Sequence, residues 1–244
     1  MTRRYFATHL PVQGGLVSLD ESETHHAINV MRIRSGETVC LFDGMGREAS
    51  AIVETVGRRE VSCQASPAQS VDRENEISLI VGVAMPKGDR SKELVERLTE
   101  LGVNVLVPLH CKRTQWPVPD NAITKWQRVV IDACKQSGRN HLMHIESPQS
   151  ADQWFKQNAA PDCAKLIAHP DAQPDPHFSS ATTVLPGPQE KYRSARIAIG
   201  PEGGFSEEEI EVADQQGWQR MSLGNRIYRI ETATILSVIR VAGL

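Results

Sequence analysis

The sequence predicts an α/β protein in which a small β-rich domain precedes a larger domain built on a parallel sheet. Up to about residue 72, short β-prone runs alternate with turn signals, a pattern typical of a small barrel. Beyond a polar stretch at residues 66–76, short apolar runs alternate with amphipathic helical segments, which favours a parallel sheet. We therefore predict two domains, residues 1–72 and 73–244.

The first domain contains predicted strands that are short and separated by glycine turns. Asp43 and Gly44 form a hairpin signal between two of them. Residues 23–31 read as one short helix, and two arginines, Arg32 and Arg34, follow it beside a glycine. The predicted strands cover residues 5–6, 16–19, 38–42, 48–53 and 61–63.

The second domain alternates strand and helix from end to end. Buried strands are predicted at 77–84, 103–109, 165–168 and 196–199, with another at Met221. Helices are predicted at 91–101, 122–136 and 151–158, then from Glu207, and finally over 233–244. Residues 171–193, rich in proline and serine, predict a long loop.

Composition narrows the class of protein. The chain has 244 residues and no apolar run near the ~20 residues that a membrane helix needs. Its five cysteines are scattered without CxxC spacing, so we expect reduced thiols in a cytoplasmic protein, with no disulfide framework and no metal site. The net charge of −3 means that binding to RNA phosphates would depend on local arginine clusters.

A glycine-rich segment, residues 199–209, carries the clearest signal of a ligand site. The apolar run before it predicts a strand, and the turn opens a helix. Ser206 stands at the N-cap position and Glu209 three residues on, the spacing of a capping box. The segment lacks the Gly-Lys-Ser/Thr ending of a phosphate-binding loop, so we expect a small ligand read by backbone groups.

Several segments together resemble the 16S ribosomal RNA (uracil-N3)-methyltransferase family of the knotted SPOUT superfamily. The resemblance rests on Gly-Pro-Glu-Gly-Gly at 200–204 followed by Leu-Gly-x-Arg-x-x-Arg-x-Glu-Thr-Ala at 223–233. The segments Lys87–Arg90, Glu100–Val103 and Ala133–Asn140 fit the same pattern. Each segment is modest alone, but their order and spacing are specific and cover nearly the whole chain.

The resemblance implies a fold and a cofactor. It implies a PUA-like N-terminal barrel that helps to grip RNA, and a C-terminal domain whose sheet forms a deep trefoil knot. It also implies S-adenosylmethionine as cofactor, bound by three knot loops. Carried over by motif, the cofactor-binding residues are His169, Pro170, Ile199, Gly200, Pro201, Glu202, Gly203, Gly204, Leu223, Gly224, Ile227 and Ile230.

Two residues are predicted to be catalytic. Methyl transfer to uracil N3 requires loss of a weakly acidic proton, and the guanidinium of Arg229 beside O2 or O4 would favour the deprotonated ring. Glu231 is expected to hold that arginine or to cap the last helix, the capping role standing slightly ahead. Tyr228 stands where the family often has leucine, so the apolar wall of the pocket departs from the pattern.

Basic residues at family-matching or clustered positions are the predicted RNA contacts. They are Arg3, Arg4, Arg32, Arg34, Lys87, Arg90, Arg113 and Arg139. The four tryptophans, Trp116, Trp126, Trp154 and Trp218, favour core or interface positions over base stacking. The apolar final helix predicts a homodimer, since a helix apolar on most faces must be buried on most faces.

We therefore expect a methyltransferase that acts on N3 of a uridine in 16S ribosomal RNA of the small subunit. Two alternatives stay open at this point. One is a SPOUT enzyme that methylates a ribose 2′-hydroxyl or another RNA base. The other is a non-catalytic RNA-binding assembly factor, against which the intact glycine-rich loop counts.

Overall fold

The computed structural model describes residues 2–170 and 192–244, which form two compact units. One unit consists of Met1–Glu74 together with Val130–Leu142, and the other of Asn75–Val129 with Met143–Leu244. The predicted loop at 171–193 lies almost wholly outside the described residues. None of the helices formed by the described residues is long and apolar enough to cross a membrane.

The N-terminal unit is built on a six-stranded sheet in the order β1-β3-β4-β5-β2, with β6 paired to β4. The pair β1 and β3 is parallel and the other pairs are antiparallel. Side chains that point inward form one core that includes Tyr5, Leu10, Leu41, Val53 and Val61. The strands are β1 (Arg4–Phe6), β2 (Gly15–Ser18), β3 (Thr38–Phe42), β4 (Arg47–Val56), β5 (Val61–Ala65) and β6 (Gln69–Ser70).

The first helix of this unit begins two residues before the predicted start. Asp20 is its N-cap and accepts a hydrogen bond from the Glu23 amide at 2.7 Å. The helix α1 (Glu21–His25) then widens into a π-helical turn, His26–Val30. The capping aspartate therefore sets the start that hydrophobic periodicity alone places too late.

The C-terminal unit contains a seven-stranded sheet in the order β10-β8-β7-β12-β11-β13, with β9 paired to β8. Every one of its pairs is parallel, so the predicted parallel α/β fold is confirmed. The strands are β7 (Ser78–Val83), β8 (Val105–His110), β9 (His144–Ile145), β10 (Gln149–Ser150), β11 (Cys163–Ala168), β12 (Ser194–Ile199) and β13 (Gln219–Met221).

Within residues 75–170 and 192–244, five helices follow these strands. An aromatic cluster with Trp154, Phe155, Phe205 and Trp218 joins α4 and α5 to the sheet. The last helix packs on β7 and β12 and beside α2. It begins three residues earlier than predicted, and α4 ends three residues earlier. The helices are α2 (Asp89–Glu100), α3 (Ala122–Ser137), α4 (Ala151–Phe155), α5 (Glu207–Gln215) and α6 (Ile230–Ala242).

The strand order places a change of direction at the middle of the sheet. From β7 the chain moves outward through β8 to β10, whereas from β12 it moves the other way to β13. Ligands of open parallel sheets bind at the carboxyl ends of strands at such a switch point. Here those ends lead into the Lys87–Arg90 segment and the glycine-rich loop. The trefoil knot stays a prediction, because the connection between β11 and β12 lies outside the described residues.

Candidate active site

The glycine-rich loop is anchored where it enters α5. Ser206 accepts the Glu209 amide at 3.2 Å, and the Glu209 carboxylate accepts the Ser206 amide at 2.7 Å. The predicted capping box is therefore confirmed. Glu209 is 2% exposed, and its other oxygen accepts the Lys112 amide at 2.8 Å. One carboxylate thus fixes both the loop after β12 and the segment after β8.

Arg113 holds the same loop from the other side. Its Nη1 donates to the Gly203 carbonyl at 2.9 Å and to the Phe205 carbonyl at 3.2 Å. The sequence predicts an RNA contact for this arginine. Although the residue is exposed, its guanidinium supports the loop, a role that shapes the ligand site directly.

The loops leave space for a ligand to approach their backbone. A Cβ added at Gly204 or Gly224 would meet no described atom within 4 Å, and both residues have positive φ, +69° and +105°. A Cβ at Gly203 would make only ordinary contacts with Arg113, at 3.6 Å. Because glycine lets a ligand come close to the main chain, these positions fit the adenosine part of S-adenosylmethionine.

Arg90 joins three segments of the site. Its guanidinium lies 3.2 Å from Glu231 Oε1 in the first turn of α6, and 3.8 Å from Glu202 Oε1 in the glycine-rich loop. Arg90 itself stands in the first turn of α2. The side chains of Arg90 and Glu202 are half-exposed, whereas that of Glu231 is only 16% exposed. A cation therefore ties together the loops that follow β7, β12 and β13.

The carboxylate of Glu231 departs from the capping role that the sequence favours. Arg229 is the N-cap of α6, and no side chain donates or accepts a capping hydrogen bond there. Neither oxygen of Glu231 has a hydrogen-bond partner among the described residues, although Arg90 lies at ion-pair distance. The partner that the structure gives Glu231 is thus Arg90 rather than Arg229. Arg229 is exposed at the surface of the loop.

The remaining predicted cofactor residues fall into two groups. Ile199, Pro201 and Ile230 are buried, so their side chains belong to the core beneath the loops. The others lie partly or wholly at the surface: His169, Pro170, Gly200, Leu223 and Ile227. The His169 amide donates to the Met221 carbonyl at 3.1 Å, which joins the first predicted loop to the end of β13, the strand that precedes the third loop. Ile227 is 92% exposed and is free to cover a ligand.

Two of the arginines that the sequence assigns to RNA are structural. Arg139 is 4% exposed and binds Glu74 through Nε at 2.7 Å and Nη2 at 2.5 Å. The Arg4 side chain is 12% exposed and bonds Glu48 at 2.9 Å and Asn140 at 2.5 Å. Both guanidinium groups are largely buried and already bind a carboxylate. Neither therefore fits the predicted contact with an RNA phosphate.

The other predicted RNA contacts are accessible. Arg32 and Arg34 are exposed after the π-helical turn, and Arg3 is partly exposed and paired with Glu37 at 2.8 Å. Lys87 is exposed in the segment between β7 and α2. It lies 3.6 Å from the centre of the Trp116 ring, a cation–π contact.

Of the four tryptophans that the sequence assigns to core or interface positions, all of them within the described residues, Trp116 is the one at the surface. Trp126, Trp154 and Trp218 are buried as that interpretation requires, whereas Trp116 is 51% exposed. The surrounding Thr-Gln-Trp-Pro-Val-Pro has no helical or strand period. That local signal would have identified a surface loop.

One group of side chains in the N-terminal unit resembles a metal site in composition. Glu23, His26 and Asp132 bring their ligand atoms within 4.8 Å of one another. The ammonium of Lys135 lies among them, 2.7 Å from Glu23, 2.8 Å from Asp132 and 3.2 Å from His26 Nδ1. Burial alone would lower the pKa of Lys135, but hydrogen bonds to Asp132 and Glu23 raise it. The lysine supplies the positive charge that these groups need.

Comparison with known proteins places the chain in a family. Residues 73–242 match the RNA methyltransferase domain family, and residues 19–66 match the RNA methyltransferase PUA domain. The chain belongs to the RNA methyltransferase domain family, and the resemblance drawn from the sequence is confirmed. Its N-terminal unit is accordingly PUA-like.

The relatives carry consistent names. The chain is 28% identical to ribosomal RNA small subunit methyltransferase E of Bacillus subtilis, over 91% of this chain and 87% of the relative. The structure of a Legionella pneumophila methyltransferase in complex with S-adenosylmethionine is similar, with 30% identity, a TM-score of 0.85 and coverage of 98% and 96%. The Neisseria gonorrhoeae ribosomal RNA small subunit methyltransferase E bound to S-adenosylmethionine has 25% identity, a TM-score of 0.83 and coverage of 98% and 95%.

Proposed function

We propose that this protein transfers a methyl group from S-adenosylmethionine to N3 of a uridine in the RNA of the small ribosomal subunit. Family membership and the names of the relatives support the enzyme class and the substrate class. The observation that carries the proposal is the ion pair of Arg90 with Glu231, next to Glu202 of the glycine-rich loop. It joins the predicted cofactor loop to the turn that carries the predicted catalytic arginine.

The glycine-rich loop is assigned to cofactor binding. When bound, S-adenosylmethionine supplies an electrophilic methyl group on a sulfonium. The open backbone at Gly203, Gly204 and Gly224 leaves room for the adenosine, and Ile227 offers an apolar cover. Arg113 and the Ser206–Glu209 capping box keep the loop in one conformation. Such preorganisation lowers the entropy cost of holding two reacting atoms in line.

Arg229 is assigned to the uracil. It is exposed and stands at the N-cap of α6, where its side chain makes no capping hydrogen bond to the described residues. A cation beside O2 or O4 stabilises the ring once the N3 proton has gone, and such stabilisation of developing charge contributes strongly to catalysis. Glu231 sets the position of this turn through Arg90, and its two buried oxygens have no hydrogen-bond partner among the described residues.

The proposal includes a homodimer. The fully buried face of α6 contains Val238 and Val241 together with Thr234 and Ser237, whereas the apolar residues Ile235, Leu236 and Ile239 are only partly buried. Full burial of an exposed side chain of this size contributes about 1.5–3 kcal/mol, and covering these partly buried ones would contribute a fraction of that. A second copy that packs on α6 would recover this energy. Free thiols at all five cysteines fit action in the cytoplasm.

The experiment is methyl transfer in vitro. Purified protein and methyl-labelled S-adenosylmethionine are incubated with small ribosomal subunits from cells that lack the protein. Nucleosides from the RNA are then separated and identified by mass spectrometry. We expect label in 3-methyluridine. Label in a 2′-O-methylated nucleoside or another base would move the proposal to a different acceptor, and an absence of label would contradict it.

A further inference from the structure

The loop between β8 and α3 displays an indole at the edge of the candidate active site. Trp116 is the only tryptophan of the four that is exposed, at 51%, all four lying in the described part of the chain. Single exposed apolar residues are ordinary on protein surfaces, so exposure alone means little. Three further features of this residue give it meaning.

The loop is held against the glycine-rich segment. Cys111 and Thr114 form a tight turn, with the Thr114 amide donating to the Cys111 carbonyl and Thr114 Oγ1 accepting the Cys111 amide, both at 2.9 Å. Arg113 inside that turn binds the carbonyls of Gly203 and Phe205. Trp116 lies three residues after Arg113, so its position is tied to the predicted cofactor loop.

The chain around Trp116 is stiff. Pro117 and Pro119 fix two backbone angles directly after the indole, and the Ala122 amide closes the segment onto the Pro119 carbonyl at 2.9 Å. Because the loop that carries Trp116 is already restrained, little conformational entropy is lost when a ligand binds. Exposed, preorganised aromatic rings are the surfaces on which unpaired nucleobases stack.

A cation accompanies the ring. The Lys87 ammonium lies 3.6 Å from the ring centre, and Lys87 belongs to the segment that leads from β7 to Arg90. Lys87 is exposed and places positive charge on the aromatic face, whereas Lys112 in the neighbouring loop is exposed but pairs with Glu208 at 3.5 Å. Basic side chains interleaved with aromatic rings are the pattern that binds single-stranded nucleic acid, with charge for phosphate and ring for base.

We infer that Trp116 and Lys87 form a stacking site for an unpaired nucleotide of the RNA substrate, near the nucleotide that is methylated. The inference rests on the proposed function and adds a substrate-binding site to it. The indole stacks on a base, and Lys87 steadies the ring and attracts the adjoining phosphate. The site selects for unpaired RNA, because a base in a duplex has no free face to offer.

Intrinsic fluorescence provides a direct readout. Because the other three indoles are buried, acrylamide quenching reports mainly on Trp116. We expect strong quenching in the free protein, and protection when oligouridylate is added. The same titration with Trp116→Phe should show weak quenching and no RNA-dependent change. An indole already shielded in the free protein, or one that RNA leaves equally quenchable, would overturn the inference.

Affinity separates stacking from simple packing. We expect Trp116→Leu to weaken oligouridylate binding about 10-fold, whereas Trp116→Phe keeps a stacking ring and loses about 3-fold or less. Lys87→Gln should weaken binding more than Lys92→Gln, an exposed lysine on α2. Affinity for S-adenosylmethionine should stay unchanged in every variant. Equal RNA affinity for the leucine, phenylalanine and wild-type proteins would overturn the inference.

The outcome is independent of methyl transfer. If wild-type protein methylates small subunits but Trp116→Leu binds oligouridylate normally, the stacking site is wrong and the proposed function stands. If RNA protects Trp116 but no methyl group is transferred, the stacking site stands and the proposed function fails.

Discussion

The guanidinium of Arg90 lies 3.2 Å from the carboxylate of Glu231, and this pair connects the loop after the central strand β7 to the first turn of the last helix. Nη2 of the same guanidinium lies 3.8 Å from Glu202 Oε1. The pair is partly exposed, so its contribution to the free energy of unfolding is at most about 1 kcal/mol. Its importance lies in the position it gives to the turn that carries Arg229.

We expect Arg90→Gln to lower kcat/KM for methyl transfer about 10- to 100-fold, because a displacement near 1 Å of a catalytic group has effects of that size. The melting temperature should change little. Arg97→Gln is the matched control, an exposed arginine on the same helix that pairs with Glu100. Full activity of the Arg90 variant would show that the pair does not position the site.

A side chain at Gly203 should block the cofactor without harming the fold. Gly203 does not have positive φ, and an added Cβ meets Arg113 only at ordinary contact distance. We expect Gly203→Leu to bind S-adenosylmethionine about 10- to 100-fold more weakly by calorimetry. Gly57→Leu, at a similarly open turn of the N-terminal unit, should bind normally. If the Gly203 variant binds S-adenosylmethionine with wild-type affinity, the cofactor does not bind at this loop.

Arg32 and Arg34 should account for part of the salt dependence of RNA binding. Both are exposed in the PUA-like unit. Each phosphate contact with single-stranded RNA contributes a slope of about −0.7 in log K against log salt. We expect the double change to glutamine to flatten the slope by about one unit or slightly more. The same change at the exposed pair Arg58 and Arg59 serves as control. An unaltered slope would remove these arginines from the RNA footprint.

Acid should weaken the N-terminal unit through Glu48. Hydrogen bonding from Arg73, with a further contribution from Arg4, lowers the pKa of Glu48 from 4.5 to about 2. Because the folded pKa lies below the unfolded one, the stabilisation is present above pH 4.5 and is lost as pH falls toward 2. We expect Glu48→Gln to cost about 2 kcal/mol at neutral pH and to reduce the loss of stability between pH 5 and pH 3, measured by urea unfolding. An equal acid sensitivity in both proteins would contradict this assignment.

A shared active site in a homodimer can be tested by mixing two inactive chains. Light scattering at micromolar protein should give the mass of a dimer, and a monomer mass would contradict the first part of this prediction. Because Arg90 joins the glycine-rich loop to the turn of Arg229 within one chain, a mixture of Arg229→Ala and Gly203→Leu chains should stay inactive. Recovery of about a quarter of wild-type activity would show that each site takes Arg229 from one chain and Gly203 from the other. Activity near zero would show that both residues serve a site within one chain.

The sequence predicts best what depends on local chemistry. Ser206 and Glu209 form their capping box as predicted, because both partners lie within one helical turn. The parallel sheet also follows from local periodicity. Partners distant in sequence were not predictable: Arg139 pairs with Glu74, 65 residues away, so an arginine that the sequence assigns to RNA is buried.

The partner of Glu231 shows the same limit. Within its own segment, the nearest role for this glutamate is a helix cap. Arg90 becomes its partner only because the sheet sets β7 beside β12 and α6 packs across both. The tertiary structure, rather than the residue type, decides which residue Glu231 pairs with.

The most direct test of the account is the nucleoside composition of small-subunit RNA from cells that lack this protein. Mass spectrometry should show that 3-methyluridine disappears and returns when the wild-type chain is expressed. It should not return with Arg229→Ala expressed at the same level. If the content of 3-methyluridine is the same with and without the protein, methylation of uridine N3 is not its function.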